Sequence, residues 1–430
     1  MRDIVLVSCF FIILYFSFKR PFIGVSMWLW VSMFFPNGWV YGFGRSFRYS
    51  LMVAGVAILG YFLHEKDKID YSKSIMVVAF IFLCWTFLSS LLTINYGFIV
   101  WPEFTKFFKV FLLFVFIQLI FKRQLHFETM AWALIFSVSF YGVTEGLKFI
   151  SSFGNHIIKG LGGHILQDRN YLALAMNMVL PFLFYFIRKP GLHPQLKLIL
   201  IGIFACNVIA ILGSYSRSGL IGLIVIFFML TRYSKQRVKI LVVTSIIVIT
   251  AIQFLPDAWF DRMNTIESAA QDDASFLGRV AAWKVSAAIA FDNPLLGGGF
   301  KAVENYDIWL EKMYKYSGGF LGEIDDYGYA KAAHSLYFQL LGDHGFGGLF
   351  IYLFLLFVTY LKLRKVIKSH DKNEWPRQYA EMMMISFAVY VVAGSTISVA
   401  VTDHPFAMFA MASCLPIKPK QNKQNIYSAH

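Results

Sequence analysis

Apolar stretches long enough to approach the span of a bilayer recur from one end of this 430-residue chain to the other. A membrane-spanning helix needs roughly 20 predominantly apolar residues. The chain is 58% hydrophobic and 15% charged, whereas soluble domains are about 45–50% apolar and about 25% charged. Inside a bilayer a helix satisfies all its backbone hydrogen bonds within one segment. The sequence therefore predicts an all-α, polytopic membrane protein.

We expect about 12 transmembrane helices of the usual length of roughly 20 residues. The candidate spans cover residues 4–18, 21–36, 50–64, 74–92, 104–121, 128–150, 170–187, 197–213, 218–231, 239–256, 335–361, 378–401 and 404–416. The first two and the last are short enough to be re-entrant or interfacial. The first run ends in Lys19-Arg20-Pro21 rather than in a small-residue cleavage site, so we interpret it as an uncleaved anchor.

The formal charge of +14 comes mainly from short basic clusters between apolar segments. Such clusters mark cytoplasmic loops in membrane proteins, so this excess of charge does not indicate nucleic-acid binding. The predicted cytoplasmic loops are 65–73, 122–126, 188–197, 232–239 and 362–377, together with the tail that contains Lys418. Alternation then assigns the loops 93–103, 151–169, 214–217 and 257–334 to the outer side of the membrane.

The segment 257–334 is too long for a simple connection between two spans. We expect a helix that begins at Asp273 or Ser275 and ends near Ala290, followed by an amphipathic helix over 306–316. The fold class is thus a helical membrane bundle with one large, partly helical periplasmic loop. Its predicted parts are N-terminal transmembrane helices (1–150), central transmembrane helices (151–256), the loop domain (257–334) and C-terminal transmembrane helices with a cytoplasmic tail (335–430).

Three arginines lie where a membrane protein rarely places a charge without a purpose. Arg217 sits in a very short turn between two apolar spans, where an ionisable residue costs roughly 2.5–3.5 kcal/mol on insertion scales; the alternative is a snorkelling anchor. Arg169 opens a span, and the alternative is an ion pair with Asp168. Arg279 opens the predicted loop helix against the helix dipole. That position favours an anionic partner, and the alternative is a solvated face.

Two lysines are weaker candidates for a phosphate site. Lys106 and Lys109 lie about one helical turn apart near the outer end of the span 104–121. Glu103 precedes them and offers an ion-pair partner, which is the alternative interpretation of their position.

His334 is the most suggestive histidine, because it lies where the long loop returns to the membrane. An imidazole with an unperturbed pKa near 6.5 suits acid-base work at neutral pH, although a structural role is the alternative. No HExxH motif accompanies it. The acidic pairs Asp325-Asp326 and Asp272-Asp273 are interpreted as exposed loop charge, and the alternative is a cation site. The sequence therefore predicts neither a metal site nor a cofactor.

The four cysteines give no further sign of a metal or a disulfide framework. They lie far apart, and no CxxC pair occurs. We expect them to be small buried residues.

Arginines on the outer side with a histidine at the end of the loop suit a reaction that releases a lipid pyrophosphate. Guanidinium groups bind phosphate oxygens bidentately and stay charged at any relevant pH. They are able to stabilise the charge that develops on a departing phosphate without a metal ion.

Several motifs in this order resemble the O-antigen ligase and polymerase superfamily, and most closely its lipopolysaccharide O-antigen ligases. They are Ser216-Arg217-Ser218-Gly219, Gly278-Arg279 with Trp283, Asn293-Pro294-Leu295-Leu296-Gly297, Ala333-His334-Ser335-Leu336-Tyr337 and Gly345-Phe346-Gly347-Gly348. The resemblance implies a metal-independent, inverting glycosyltransferase of the bacterial inner membrane with a periplasmic active site. It also implies that Arg217 and Arg279 contact the pyrophosphate of an undecaprenyl-linked glycan donor. His334 would act on the acceptor hydroxyl.

The acceptor stays open at this point. The first hypothesis is ligation of O-antigen to the sugar of a lipid A-core. The second is polymerisation of glycan repeats or transfer to a protein side chain, which uses the same motifs. A non-enzymatic lipid or glycan transporter is the third, and it predicts repeated bundle halves with ionisable residues near the membrane midplane.

Overall fold

The computed structural model describes residues 2–64, 74–233 and 274–418, and these residues contain helices but no strand. The helices are α1 (Arg2–Lys19), α2 (Pro21–Phe34), α3 (Tyr49–His64), α4 (Ser74–Leu91), α5 (Gly97–Ile120), α6 (Gln124–Ser151), α7 (Arg169–Arg188), α8 (Pro194–Gly213), α9 (Arg217–Tyr233), α10 (Ala274–Asp292), α11 (Tyr306–Tyr316), α12 (Leu336–Ser369), α13 (Trp375–Ala393) and α14 (Asp403–Cys414). The prediction of an all-helical fold is confirmed.

Each candidate span overlaps a helix, except 239–256, which lies outside the described residues, and the helix of the span 378–401 ends already at Ala393. Six of the helices are long and apolar enough to cross a membrane, namely α4, α6, α7, α8, α12 and α13. The shorter apolar helices α2 and α3 do not reach that length. A count of about 12 spans therefore remains a prediction.

Helix α7 occupies the centre of the bundle. Its side chains from Tyr171 to Leu183 are buried all round, which is the pattern of a helix enclosed by others. Neighbouring helices approach it at small residues: a side chain at Gly222 of α9 would meet Asn177 at 2.7 Å. Asn177 donates from its amide nitrogen to the carbonyl of Gly219 at 2.9 Å. Close backbone approach joined by an amide hydrogen bond is typical of helix packing in membranes.

The segment between α9 and α12 carries a second, small hydrophobic core, and we call its described part, residues 274–335, the loop subdomain. Trp309 is fully buried in this core, against Val285 and Ile289 of α10. The expected helix over 306–316 is confirmed as α11, and α10 ends at Asp292, two residues beyond the predicted end near Ala290.

Asp292, at the end of α10, ties the two loop helices together. Its carboxylate accepts hydrogen bonds from Lys312 at 2.7 Å, from Lys315 at 2.6 Å and from the Tyr316 hydroxyl at 2.6 Å. Partial burial raises the pKa of Asp292, but these hydrogen bonds outweigh burial and lower it to about 2. The carboxylate is therefore charged at neutral pH, and it fixes the angle between α10 and α11.

Helix α12 is broken at Gly345, whose backbone has φ 68° and ψ −172°. The sequence predicted a single span over 335–361 without this break. The turn that follows α10 docks into it, and the amide of Phe346 donates to the carbonyl of Pro294 at 2.8 Å. The amides of Gly298 and Gly299 donate to the carbonyls of Gly342 and Asp343. The bonds from Gly298 and Gly299 satisfy carbonyls that the broken helix leaves without intrahelical partners, and the bond to Pro294 satisfies the amide of Phe346.

The expectation of four buried cysteines is wrong for Cys9 and Cys84, which are exposed on α1 and α4. Both lie on helices with an outward apolar face, where a small, weakly polar thiol is tolerated as a hydrophobic residue. Cys206 and Cys414 are half-buried.

Replacement of Gly345 by alanine is expected to lower the thermal stability of the protein and its yield of folded material in detergent. That backbone conformation is essentially restricted to glycine, and strain of this kind costs about 1–3 kcal/mol. A Cβ at Gly345 would also lie 2.6 Å from the carbonyl oxygen of Leu295. Gly202→Ala is the matched control, because a Cβ at Gly202 in α8 meets nothing within 4 Å. Equal unfolding temperatures of the Gly345→Ala and Gly202→Ala proteins would contradict the role assigned to Gly345.

Candidate active site

The start of α7 is held by a side-chain cap. The carboxylate of Asp168 accepts the backbone N–H groups of Asn170 at 2.8 Å and Tyr171 at 2.9 Å, as an N-cap aspartate does. Its predicted alternative role, an ion pair with Arg169, is not what the structure contains. The Arg169 guanidinium is half-buried, and no hydrogen bond or ion pair ties it to the described residues.

The turn that carries Arg217 is bonded to the same end of α7. Tyr215, between α8 and α9, has a left-handed backbone with φ 52°. Ser216 then caps α9 by accepting the amide of Gly219 at 3.1 Å, while its hydroxyl donates to Oδ1 of Asn170 at 2.8 Å. Arg217 and Arg169 are the immediate chain neighbours of these two bonded residues. The side chain-to-side chain bond therefore brings the starts of α7 and α9 together.

His334 is held in a constrained backbone conformation. Its φ is 43°, in the left-handed region that residues with a Cβ rarely adopt. The preceding carbonyl, of Ala333, accepts the indole N–H of Trp283 at 2.7 Å. The Trp283 ring stacks on Phe338 at 5.0 Å with the planes 7° apart. Left-handed residues persist where their surroundings over-determine them, and Trp283 provides that constraint on α10.

Arg279 lies four residues before Trp283, so the two side chains share one face of α10. The helix that holds the backbone of His334 thus also carries a cation toward it. Burial lowers the pKa of His334, and the positive charge of Arg279 lowers it further, whereas the negative charge of Asp168 raises it. Arg279 and Asp168 are therefore both within electrostatic reach of His334. Because the pKa stays below 6.5, the imidazole is neutral at neutral pH and is able to accept a proton.

The structure thus brings together most of the predicted site residues. The charges of Arg279 and Asp168 both act on His334, and the Ser216–Asn170 bond places the starts of the helices of Arg169 and Arg217 side by side. These groups come from α7, α9, α10 and the segment before α12.

The two weaker candidates on α5 have different surroundings. Lys106 donates to the carboxylate of Glu103 at 2.7 Å, which is the alternative that the sequence offered. Glu103 also lies 3.5 Å from the amine of Lys301. Lys109 is exposed. Within the described ranges, neither lysine forms a hydrogen bond or ion pair with the residues around His334.

Three positioning residues were missed by the sequence analysis: Asp168 as a cap, Ser216 and Asn170. Asp168 had a local signal, since an aspartate just before an apolar run is a typical N-cap. The Ser216–Asn170 bond joins residues 46 positions apart and has no local signature.

The acidic pair Asp325-Asp326 forms hydrogen bonds within the loop subdomain. Asp326 accepts the Tyr306 hydroxyl at 2.9 Å and the amide of Gly328 at 2.8 Å, and Asp325 accepts the Tyr327 hydroxyl at 3.2 Å. Asp272-Asp273 lies outside the described residues. Among the residues described, no group of three or more histidine, cysteine or acidic side chains is arranged to hold a metal ion.

Comparison with known proteins gives two matches to protein families. Residues 202–353 match a family described as O-antigen ligase, and residues 1–190 match a family of unknown function (DUF5935). No curated protein matches the chain. The first match contains the Arg217 turn, α10, His334 and the break at Gly345, so it covers the motifs on which the predicted resemblance rests.

Chemical modification provides a direct test of the charges around His334. Diethyl pyrocarbonate reacts with neutral imidazole, so the midpoint of His334 labelling against pH, followed by peptide mass spectrometry, is expected to lie below 6.5. Asp168→Asn keeps a capping side chain but removes the negative charge, and it should lower the midpoint further. Arg279→Gln removes the positive charge and should raise it. A midpoint that is the same in all three proteins would contradict the proximity of these groups.

Proposed function

Because this chain belongs to the O-antigen ligase superfamily, we propose that it transfers a glycan from undecaprenyl pyrophosphate to a lipid A-core oligosaccharide. The reaction takes place at the periplasmic face of the bacterial inner membrane. The observation that carries the proposal is the placement of a neutral, constrained His334 within electrostatic reach of Arg279 and Asp168. This arrangement combines a base with a binding group for an anionic leaving group.

The arginines bind the donor in this proposal. Guanidinium groups match phosphate oxygens with two parallel hydrogen bonds and hold their charge. Arg217 and Arg279 take the pyrophosphate, in agreement with the family motifs around them, and Arg169 adds a third guanidinium beside the Arg217 turn. Together they stabilise the charge that grows on the departing pyrophosphate, so the reaction needs no metal ion.

His334 acts on the acceptor. As the acceptor hydroxyl oxygen attacks the anomeric carbon, its proton passes to the neutral imidazole, an effect typically worth about 10²–10⁴-fold. The bond between the anomeric carbon and the pyrophosphate oxygen breaks, and undecaprenyl pyrophosphate leaves with that electron pair. A single displacement of this kind inverts the configuration at the anomeric carbon. The negative charge of Asp168 then favours the imidazolium that forms.

The location of the site suits two substrates that arrive from different phases. His334 lies at the end of the loop subdomain, two residues before α12, which is a helix apolar enough to cross the membrane. A donor anchored in the bilayer by its lipid approaches from the helix side. An acceptor sugar reaches the site from the aqueous side.

Deletion of the gene, followed by analysis of the glycoconjugates, distinguishes the possible acceptors. Loss of long-chain lipopolysaccharide with accumulation of the lipid-linked polymer is the expected result. Loss of the polymer itself would assign polymerisation instead, and loss of a glycoprotein would assign transfer to protein.

Purified protein with lipid-linked donor and lipid A-core should also remain active in excess EDTA. Activity that EDTA abolishes and magnesium restores would contradict the metal-independent mechanism.

The substitution Arg217→Lys tests the fork geometry of the donor site, because it keeps the charge and removes the paired N–H donors. We expect transfer to fall by about 10²-fold, the scale seen when one donor to a developing oxyanion is lost. Arg232→Lys is the matched control, since Arg232 is exposed at the opposite end of the same helix. Both variants are compared at equal amounts in the membrane. Near-normal transfer by Arg217→Lys would reduce Arg217 to a point charge.

A further inference from the structure

An exposed aromatic stripe runs along the outer face of α12. Phe346, Phe350 and Phe354 follow one another at four-residue intervals, which places them on one side of the helix. They are 43%, 70% and 45% exposed. Of the residues in the most apolar stretch of α12, only 33% are buried inside the protein, although this helix is apolar enough to span a membrane. This face is therefore the side that α12 turns to lipid.

The stripe continues from α12 onto the loop subdomain. The Phe346 ring lies 6.0 Å from the ring of Phe291 at the end of α10, and the Phe291 ring lies 5.1 Å from that of Phe320. Leu295 and Phe320 are 66% and 72% exposed. We call Phe291, Leu295, Phe320 and Phe346 the aromatic edge. It forms an apolar surface that is exposed among the described residues and is continuous with the lipid-facing side of a membrane helix.

The basic end of α12 indicates the depth of the aromatic edge. Lys362 begins a cluster of basic residues at that end, which marks the predicted cytoplasmic boundary. A hydrocarbon core about 30 Å thick takes roughly 20 residues at 1.5 Å each. Counting back from Lys362 reaches about residue 342, close to the break at Gly345. Phe346 and the loop residues packed against it therefore lie at the far boundary, where aromatic side chains are enriched.

We propose that the aromatic edge seats the loop subdomain in the membrane–water interface, in contact with the lipids of the bilayer. The aromatic edge contacts lipid rather than a second copy of the protein, because it continues the lipid-facing side of α12. Phe291 and Arg279 belong to the same rigid helix, so this contact also fixes the depth of Arg279 relative to the headgroups. The proposal concerns membrane contact and does not depend on the proposed reaction.

Spin labelling of the full-length protein in lipid nanodiscs tests this contact. Cys9, Cys84, Cys206 and Cys414 are first replaced by serine, and a nitroxide is attached to Phe320→Cys. Apolar oxygen collects in the bilayer, whereas a nickel chelate stays in water. Oxygen is therefore expected to relax the Phe320→Cys label more strongly than the chelate does. Lipids with a paramagnetic group on the acyl chain should relax it as well.

A label at Tyr314→Cys is the matched control, because Tyr314 on α11 is 79% exposed and lies outside the aromatic edge. It should show the reverse order, with stronger relaxation by the chelate. Leu295→Cys provides a second position in the edge if Phe320→Cys folds poorly. Stronger relaxation by the chelate at both edge positions would overturn the proposal. Protection from both reagents, or spin–spin broadening between copies, would also overturn it, because protein would then cover the edge.

Discussion

Backbone hydrogen bonds between the turn after α10 and the broken helix α12 are the interaction on which the arrangement of the site depends. A break in a helix exposes carbonyl and amide groups that find no water in a membrane bundle. Here the amides of Gly298 and Gly299 and the carbonyl of Pro294 fill that need. The hydroxyl of Ser89 on α4 bonds the same joint, at 2.7 Å from the carbonyl of Leu296. The loop subdomain is thereby fixed to the bundle through groups that are costly to leave unpaired.

This joint determines the geometry around His334. The histidine precedes the first half of α12, and Arg279 and Trp283 lie on α10, the helix that leads into the docked turn. Rotation of either helix about the joint would separate the indole of Trp283 from the carbonyl of Ala333, which lie 2.7 Å apart. It would also change the distance from Arg279 to the imidazole. Rigidity of this kind is what pre-organised sites require, because small displacements of a catalytic group are expensive.

Most of the helices were predicted from the apolar runs and from the pattern of the loop residues. The runs located α1 to α9 and α12 to α14, a candidate capping residue indicated α10, and an amphipathic pattern indicated α11. The break in α12 was not predicted, because Gly345 adopts its conformation only against a partner about 50 residues earlier in the chain. The site was predicted in part. Arg279 and His334 were named, but the effect of Asp168 on His334 was not predicted, because Asp168 caps α7, which only the folded bundle brings near the histidine.

The opposing charges around His334 have a consequence for the proposed reaction. In the protein without substrate, the positive charge of Arg279 lowers the pKa of the His334 imidazole. A pyrophosphate on Arg279 would neutralise that effect, so the histidine would become a stronger base as the donor binds. Thermodynamic reciprocity then requires that a proton on His334 tightens the hold on pyrophosphate. In the proposed reaction, the imidazole would therefore take up the proton of the acceptor hydroxyl more readily with the donor bound than without it.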